Sequence, residues 1–346
     1  MFSPHYTITH QLLTNIKRIN ALITELNNKH FPHVVLLELE RAAREVSAYA
    51  STSIEGNPLP LTEVKKILKS TPTHIGESEK EVLNYNAALQ MLNKKLQKKP
   101  LSLSLELVLS IHQHVMLDLL PAFETGNVRQ SPVVVNDPRT NQTIYLPPDV
   151  KDVKPLMTDL LDFARKNHNK IDPLILSGII HKQMVIIHPF IDGNGRTTRL
   201  ITKVALAQMG LNTFNLFSFE NYYNKNVTRY FQNVGEQGDY YELKNHIDFT
   251  NWLEYFTEGI IDELLRIQKN TLLIATSPDT QLQKHHQKMI KFIHDKGFIK
   301  DSDYAKLVDR ARATRTLDFQ KLIKLGIIER KGKGKATYYT LKHAET

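Results

Sequence analysis

The sequence predicts an all-α protein with one small β-hairpin and a winged helix at its C-terminal end. Three observations predict it. Apolar residues recur at helical spacing through most of the chain, beginning with Leu12, Leu13, Ile16, Ile19, Leu22, Ile23 and Leu26. One stretch, 126–150, breaks that pattern with two β-branched runs around a turn-rich centre. The positive charge is confined to the tail. The last 66 residues carry 16 Lys+Arg against 7 Asp+Glu, which is the whole net charge of +9 over the 346 residues, while the first 280 balance at 29 against 29. Such asymmetry points to a separate module able to meet a polyanion.

The elements follow in order. A first helix fits 7–28. A second fits 36–54 and stops at Gly56-Asn57-Pro58, where a glycine past the last turn and a nearby proline end a helix. A short helix at 63–69 and a longer one at 78–96 come next, with Ser78 and Glu81 at the spacing of a capping box. Lys94-Lys95, Lys98-Lys99 and Pro100 mark a boundary. Beyond it a helix fits 104–119. Val133-Val134-Val135 and Thr143-Ile144-Tyr145-Leu146 then flank Asn136-Asp137-Pro138-Arg139-Thr140-Asn141, a hairpin with a loop longer than two residues, ended by Pro147-Pro148. Helices resume at 153–167, 173–187, 194–209, 220–233 and 249–268, and Ser277-Pro278-Asp279 is a second boundary. In the tail, helices at 285–296 (closed by Gly297), 302–309 (capped by Ser302) and 311–325 (closed by Gly326) precede a hairpin. Its strands, Ile327-Ile328 and 337–341, flank Lys331-Gly332-Lys333-Gly334-Lys335. The third helix, with Arg312, Arg315, Lys321 and Lys324, would enter a major groove, and the wing would touch phosphate. The expected division is 1–100, an N-terminal helical region; 101–276, the central core; and 281–346, the winged helix.

Composition excludes several chemistries. There is no cysteine, which removes disulfides, thiolate metal sites and cysteine catalysis and fits a reducing compartment. No apolar stretch is long enough to span a membrane, and the N-terminus lacks a basic region followed by an apolar one, so the expected setting is cytoplasmic with no membrane partner. His181 is expected to be a satisfied core histidine, and His285-His286 to be solvated with no metal nearby. Phe214, Phe217, Phe219, Tyr222 and Tyr223 are expected to pack the core.

One stretch carries chemistry: His188-Pro189-Phe190-Ile191-Asp192-Gly193-Asn194-Gly195-Arg196-Thr197-Thr198-Arg199. It lies between two apolar helices. The helix beginning near Asn194 offers unpaired backbone N–H groups and the positive end of its dipole. Gly193 and Gly195 let a phosphate approach the backbone. Arg196 and Arg199 share a helix face and can reach one polyanion. Asp192 places a hard carboxylate beside them, suited to Mg²⁺ shared with phosphate oxygens. His188 has the pKa range of a general base. These groups together describe a phosphoryl- or nucleotidyl-transfer site.

The stretch resembles the signature of the Fic family, His-x-Phe-x-Asp/Glu-Gly-Asn-Gly-Arg-x-x-Arg, at every fixed position. The resemblance extends over roughly 1–261, the Fic helical core with its small β-hairpin flap, and a winged-helix tail is common in the family. It implies a protein adenylyltransferase that transfers AMP from ATP, with Mg²⁺, to a Ser, Thr or Tyr hydroxyl of a target protein or of itself. On that resemblance, His188 would deprotonate the hydroxyl and Asp192 would hold Mg²⁺. Gly193, Asn194 and Gly195 would cradle phosphates, with Asn194 at the α-phosphate. Arg196 would meet the β-phosphate and Arg199 the γ-phosphate. Glycine at 195 argues against the phosphate-transferring branch, whose motif has lysine there. Ser51-Thr52-Ser53-Ile54-Glu55-Gly56 resembles the family's inhibitory motif, in the class with an N-terminal inhibitory helix. Ser51 and Glu55 share a helix face, and Glu55 would pair bidentately with Arg199, blocking the γ-phosphate. The hairpin 132–146 resembles the flap on which a target segment docks by main-chain pairing. Asn226 and Tyr230 occupy places where the family meets adenine or ribose, although the usual Tyr-Tyr pair is Tyr230-Phe231 here. A homodimer is a family trait. Two alternatives stand beside AMP transfer. One is a DNA-binding regulator that uses 281–346 and has a nucleotide-sensing core. The other is removal of AMP from a target, with Glu55 positioning a water.

Overall fold

The computed structural model describes residues 2–28, 33–70, 74–98, 101–136, 140, 142–207, 218–275, 282–325 and 327–341. Of the features expected from sequence, Lys99, Pro100, Asp137-Pro138-Arg139, Asn141, Met209, Phe214, Phe217, Ser277-Pro278-Asp279 and Gly326 lie outside these residues. The chain divides into two units, Met1–Asn28 with Ala43–Ile267, and Lys29–Ala42 with Gln268–Thr346.

The larger unit is built around one buried helix. The helix α7 (Pro173–Ile187) is apolar on nearly every face, so it buries all round rather than along a stripe. Its start follows helix-entry rules: Asp172 caps it by accepting from the Leu174 N–H, and Pro173 sits where no N–H is needed. On one side lie α4 (Glu77–Lys98), α5 (Leu105–Val115), α6 (Val150–Asn167) and α8 (Asn194–Ala207), which form a core with Val82, Tyr85, Val108, Ile111, Met157, Ile180, Ile187 and Leu200. The other face packs Ile175, Ile179 and Ile186 into a core with α1 (His10–Asn27), α10 (Val227–Val234) and the Trp252–Phe256 stretch of α12 (Thr250–Ala275). Gly178 lets α7 and α12 approach closely. A Cβ there would lie 2.5 Å from Leu253, and the Gly178 carbonyl accepts from the Trp252 indole at 2.8 Å. The remaining helices of this unit are α2 (His33–Ile54), whose residues 43–54 belong here, α3 (Leu61–Lys69), α9 (Glu220–Lys225) and the short α11 (Tyr240–Leu243).

The expected hairpin is present as β1 (Val135–Asn136) and β2 (Thr143–Leu146), antiparallel, with Val135 opposite Tyr145 and Asn136 opposite Thr143. The sequence reading missed a third strand. β3 (Gly238–Asp239) pairs parallel with β2, placing Tyr145 opposite Gly238. Two residues are too short a run for any periodicity to announce them.

The smaller unit has its own core of Met289, Ile293, Ile299, Tyr304, Phe319, Leu322 and Ile328. Three helices, α13 (Lys284–Lys296), α14 (Asp301–Leu307) and α15 (Arg312–Lys324), precede the antiparallel pair β4 (Ile328–Lys331) and β5 (Tyr338–Leu341). Gly297 closes α13 at φ 81°, as a C-terminal glycine should.

Several local readings need correction. The segment 220–233 is two helices, because Asn226 leaves helical geometry and its side chain accepts from the Arg229 N–H, restarting the turn. Ser78 does not cap α4: the Lys80 N–H closes on the Gly76 carbonyl, so Ser78 and Glu81 lie inside the helix. Ser302 does not cap α14 either. The Lys300 N–H donates to the Asp303 carboxylate at 3.0 Å. His285 and His286 are not solvated, since each Nε2 lies 3.3 Å from Asp318 Oδ1 and His286 is buried. The three side chains have the spacing of metal ligands, with no ion present. Their chemistry opposes one. The Gln283 N–H donates to His286 Nδ1, which makes His286 Nε2 a donor, and Arg310 and the Tyr304 hydroxyl already hold the carboxylate.

Candidate active site

The chemistry-bearing segment is the connection between α7 and α8. His188 ends α7 in the left-handed region, at φ 51° and ψ 62°, with its N–H still donating to Met184. That conformation is unusual for a residue with a Cβ and costs on the order of 1 kcal/mol. It turns the chain so that the ring leaves the helix axis. His188 Nδ1 lies 3.3 Å from the Val185 carbonyl, which can only accept, so Nδ1 carries the proton and Nε2 keeps its lone pair. Burial pushes the imidazole below its usual pKa, partly offset by the Val185 contact and by Glu55. Burial thus favours the neutral ring.

The loop that follows is braced by main chain and amides. Asn194 accepts from the Phe190 N–H and donates to the Phe190 carbonyl, both at 2.9 Å. Its carbonyl oxygen and one amide hydrogen thus brace the loop. His112, on α5, was missed from the sequence. It is fully buried and stacks on Phe190 at 3.7 Å between centroids. Its Nδ1 accepts from the Gly126 N–H at 2.9 Å, so Nε2 donates to the Asp192 carbonyl at 3.0 Å. Burial lowers its pKa to about 4. Gly193 has φ 75°, and a Cβ there would meet Met116 Sδ at 2.5 Å.

The arginines of α8 are buried but paired. Arg196 is 2% exposed, with Nη1 on Glu81 at 2.9 Å and Nη2 on Asp192 at 3.1 Å. Glu81 also accepts from Asn57 at 2.7 Å. The sequence reading took Glu81 for a cap residue and so missed its place here. Arg199 is completely buried. Its Nε donates to Ser51 Oγ and Nη2 to the Ser51 carbonyl, both at 2.8 Å, and Nη2 also donates to Glu55 at 2.7 Å. The contact is a single Glu55 oxygen on Nη2, not the expected bidentate pair, because Ser51 occupies the Nε edge. Burial works against the charge of Arg199, but Glu55 outweighs it and holds the guanidinium firmly protonated. A Cβ at Gly195 would lie 2.1 Å from Glu55 Oε1 and 2.9 Å from Arg199 Nη1. Arg196 Nε and Arg199 Nη1 are buried with no protein hydrogen-bond partner, so each guanidinium has donor capacity to spare.

Beneath lies a buried network. Glu220 accepts from the Tyr85 hydroxyl at 2.6 Å and from Ser47 at 3.1 Å, and pairs with Lys203 at 3.0 Å. His181 is the satisfied core residue expected, bonded to Thr202 and to the Tyr230 hydroxyl. Tyr230 is 1% exposed and stacks on Tyr223 at 4.6 Å. Phe219 and Tyr223 are buried as expected, while Tyr222 is partly exposed. The described hydrogen bonds of Asn226 are those of the α9–α10 break, and none reaches the 188–199 segment.

The arrangement brings together a histidine whose Nε2 keeps its lone pair, an exposed carboxylate at Asp192 (57% exposed), a helix N-terminus and two cations paired with carboxylates. A profile of the Fic/DOC family matches residues 102–206. The chain is 28% identical to "Protein adenylyltransferase Fic" of Nematostella vectensis over 239 residues, covering 66% of this chain and 51% of that protein. It is 30% identical to "Protein adenylyltransferase fic-1" of Caenorhabditis elegans over 200 residues, 56% of this chain and 38% of that one. The chain thus spans about half the length of the first of these relatives and 38% of the second. Among solved structures, a Fic family protein from Desulfovibrio desulfuricans G20 superposes with a TM-score of 0.65 at 22% identity, covering 100% of both chains. Fic-1 from C. elegans superposes at 0.61 and 23% identity, covering 77% of this chain and 74% of that one.

Proposed function

We propose that this chain, a Fic/DOC family protein whose family domain spans residues 102–206, is a protein adenylyltransferase restrained by its own Glu55. The observation that carries the reading is the state of His188. Its Nε2 is an unprotonated base at the mouth of a helix N-terminus that bears two buried arginines. In the reaction, His188 Nε2 takes the proton of a Ser, Thr or Tyr hydroxyl. The oxygen attacks the α-phosphorus of ATP, the bond from that phosphorus to the β-phosphate bridge breaks, and pyrophosphate leaves. A positioned base of this kind contributes roughly 10²–10⁴-fold. Arg196 and Arg199 take the β- and γ-phosphates as fixed charge, and Gly195 puts no side chain at the helix N-terminus beside them. Asp192 fits Mg²⁺, being a hard oxygen donor on the exposed side of the loop. The ion would supply charge neutralisation between phosphates.

Glu55 holds the resting state. It occupies Arg199, and its carboxylate, 28% exposed against 0% for the arginine, is the partner that can leave. The hairpin β1–β2 is the docking edge for a target segment. Residues 282–341 form a winged-helix accessory. Its DNA-binding reading rests on exposed Arg312 and Lys324, since Arg315 is committed to Asp301 through two contacts of 2.9 Å.

The test uses ATP labelled at either the α- or the γ-phosphate, with Mg²⁺, on wild type, Glu55→Gly and His188→Ala. Label from the α position that rises in Glu55→Gly and vanishes in His188→Ala is expected. Label from γ alone, or label that survives in His188→Ala, sinks the assignment.

A further inference from the structure

Arg129 was not singled out by the sequence, and its contacts bear on how the base of the proposed transfer is held. The residue is 2% exposed. Its guanidinium donates to main-chain carbonyls, with Nε on His188 at 2.8 Å, Nη1 on Ser131 at 3.2 Å and Nη2 on Pro148. Its own backbone N–H donates to the Pro189 carbonyl at 2.9 Å. A buried cation is ordinarily matched by a carboxylate. Here the hydrogen bonds fall on carbonyls from three segments of chain. Ser131 precedes β1 and Pro148 follows β2, so two of those carbonyls flank the hairpin. The other two belong to His188, whose backbone is in the left-handed region that a residue with a Cβ disfavours, and to Pro189 beside it.

We propose that Arg129 is a positioning residue whose one guanidinium fixes the backbone of His188 and both ends of the β1–β2 hairpin as a unit. The inference rests on the transfer reaction proposed above. A hydroxyl presented along the hairpin then meets His188 Nε2 in one geometry, without a separate search for alignment. Lysine cannot replace it, because a single ammonium has no planar fork to reach three carbonyls at once. The charge of Arg129 matters as well. The groups that act on His188 are Arg129 from the loop after α5, Glu55 from α2 and Asp192 from its own loop. Burial is the largest influence and lowers its pKa; Arg129 lowers it further, while Glu55 and Asp192 raise it.

The experiment compares Arg129→Lys and Arg129→Gln in the Glu55→Gly background. Three readouts are taken: self-modification from α-labelled ATP, thermal unfolding, and the His188 ring titration followed by NMR and assigned by its loss in His188→Ala. Both variants are expected to lose about 10–100-fold in kcat while KM for ATP stays within about twofold. The His188 pKa is expected to rise in Arg129→Gln and to stay in place in Arg129→Lys. A folded Arg129→Lys with unchanged kcat overturns the proposal, and it carries the test if Arg129→Gln fails to fold. Activity that falls only in step with thermal stability, with the His188 titration unmoved in Arg129→Gln, also overturns it. If no protein in the series transfers α-label, the transfer reading falls, while the titration still decides whether Arg129 acts on His188.

Discussion

The two ends of the 188–199 segment are held by different chemistry. At the base end, every brace is a side chain that bonds main chain: Arg129 on His188, His112 on Asp192 and Asn194 on Phe190. At the arginine end the holding groups are mainly carboxylates, with Glu81 and Asp192 on Arg196, and Glu55 beside the Ser51 hydroxyl and carbonyl on Arg199. Bonds to main-chain groups offer an incoming anion no carboxylate to replace. A carboxylate lock can be displaced by a stronger anion on the same donors. On the proposed reading, the base end is fixed and the arginine end is set by competition. Twelve consecutive residues hold both a fixed part and a releasable one.

That contrast can be broken from either side. The largest effect is expected at the base: His188→Ala should lower AMP transfer by roughly 10²–10⁴-fold, measured as initial rate with α-labelled ATP, with thermal stability nearly unchanged. A rate within tenfold of wild type would remove His188 from the chemistry. Next comes the acid response of the frame. His112 has a native pKa of about 4 against an ordinary 6.5, so its contribution is whole above pH 6.5. It is lost as pH falls from 6.5 to 4, because the unfolded chain takes up the proton first. The loss amounts to about 3 kcal/mol, to order of magnitude. Urea melts across that window should show it, and His112→Asn should titrate less steeply. An unchanged slope in the variant would put the response elsewhere, with buried His181, also held below its usual range, as the next site to test.

On the releasable side, Glu55→Gly should raise transfer by about 5–150-fold, the span of ordinary coupling energies. If it leaves the rate unchanged, the lock does not restrain the resting enzyme. The smallest effect is expected from Glu81→Gln. It keeps the shape and removes one of two negative charges on Arg196, so KM for ATP should fall by about two- to fivefold, a gain of up to roughly 1 kcal/mol, with kcat little changed. A fall in kcat instead would show that Glu81 frames Arg196, and the contrast between the two ends would blur.

Much of the fold was legible because its signals are local. The 173–187 helix was bounded correctly by Asp172-Pro173 at one end and His188-Pro189 at the other. The stop at Gly56 and the turn at Gly297 were marked by glycines that adopt positive φ. The break at Asn226 was hidden, since apolar spacing runs through it and only the amide's capping bond reveals the restart. In the site, the motif stood out by composition, but its braces did not. Arg129, His112 and Glu81 lie 59, 80 and 115 residues from the partners they hold. Each is one polar residue on an otherwise ordinary helix or loop, and spacing arguments reach only a few residues along a chain. The mixed fate of the arginines teaches the same point. Arg315 looked like a free cation on an exposed helix and is instead committed to Asp301.

Gly195 occupies the spot where both regimes meet. The ground above its Cα is filled by Glu55 in this structure, 2.1 Å from where a Cβ would stand. In the proposed working state the same ground belongs to a phosphate. Two occupants of like charge would then take turns there, excluding each other sterically as well as electrostatically. Nucleotide titration of Gly195→Ala would read how evenly the methyl disturbs them. On that reading, the atom that residue 195 lacks is what leaves room for either.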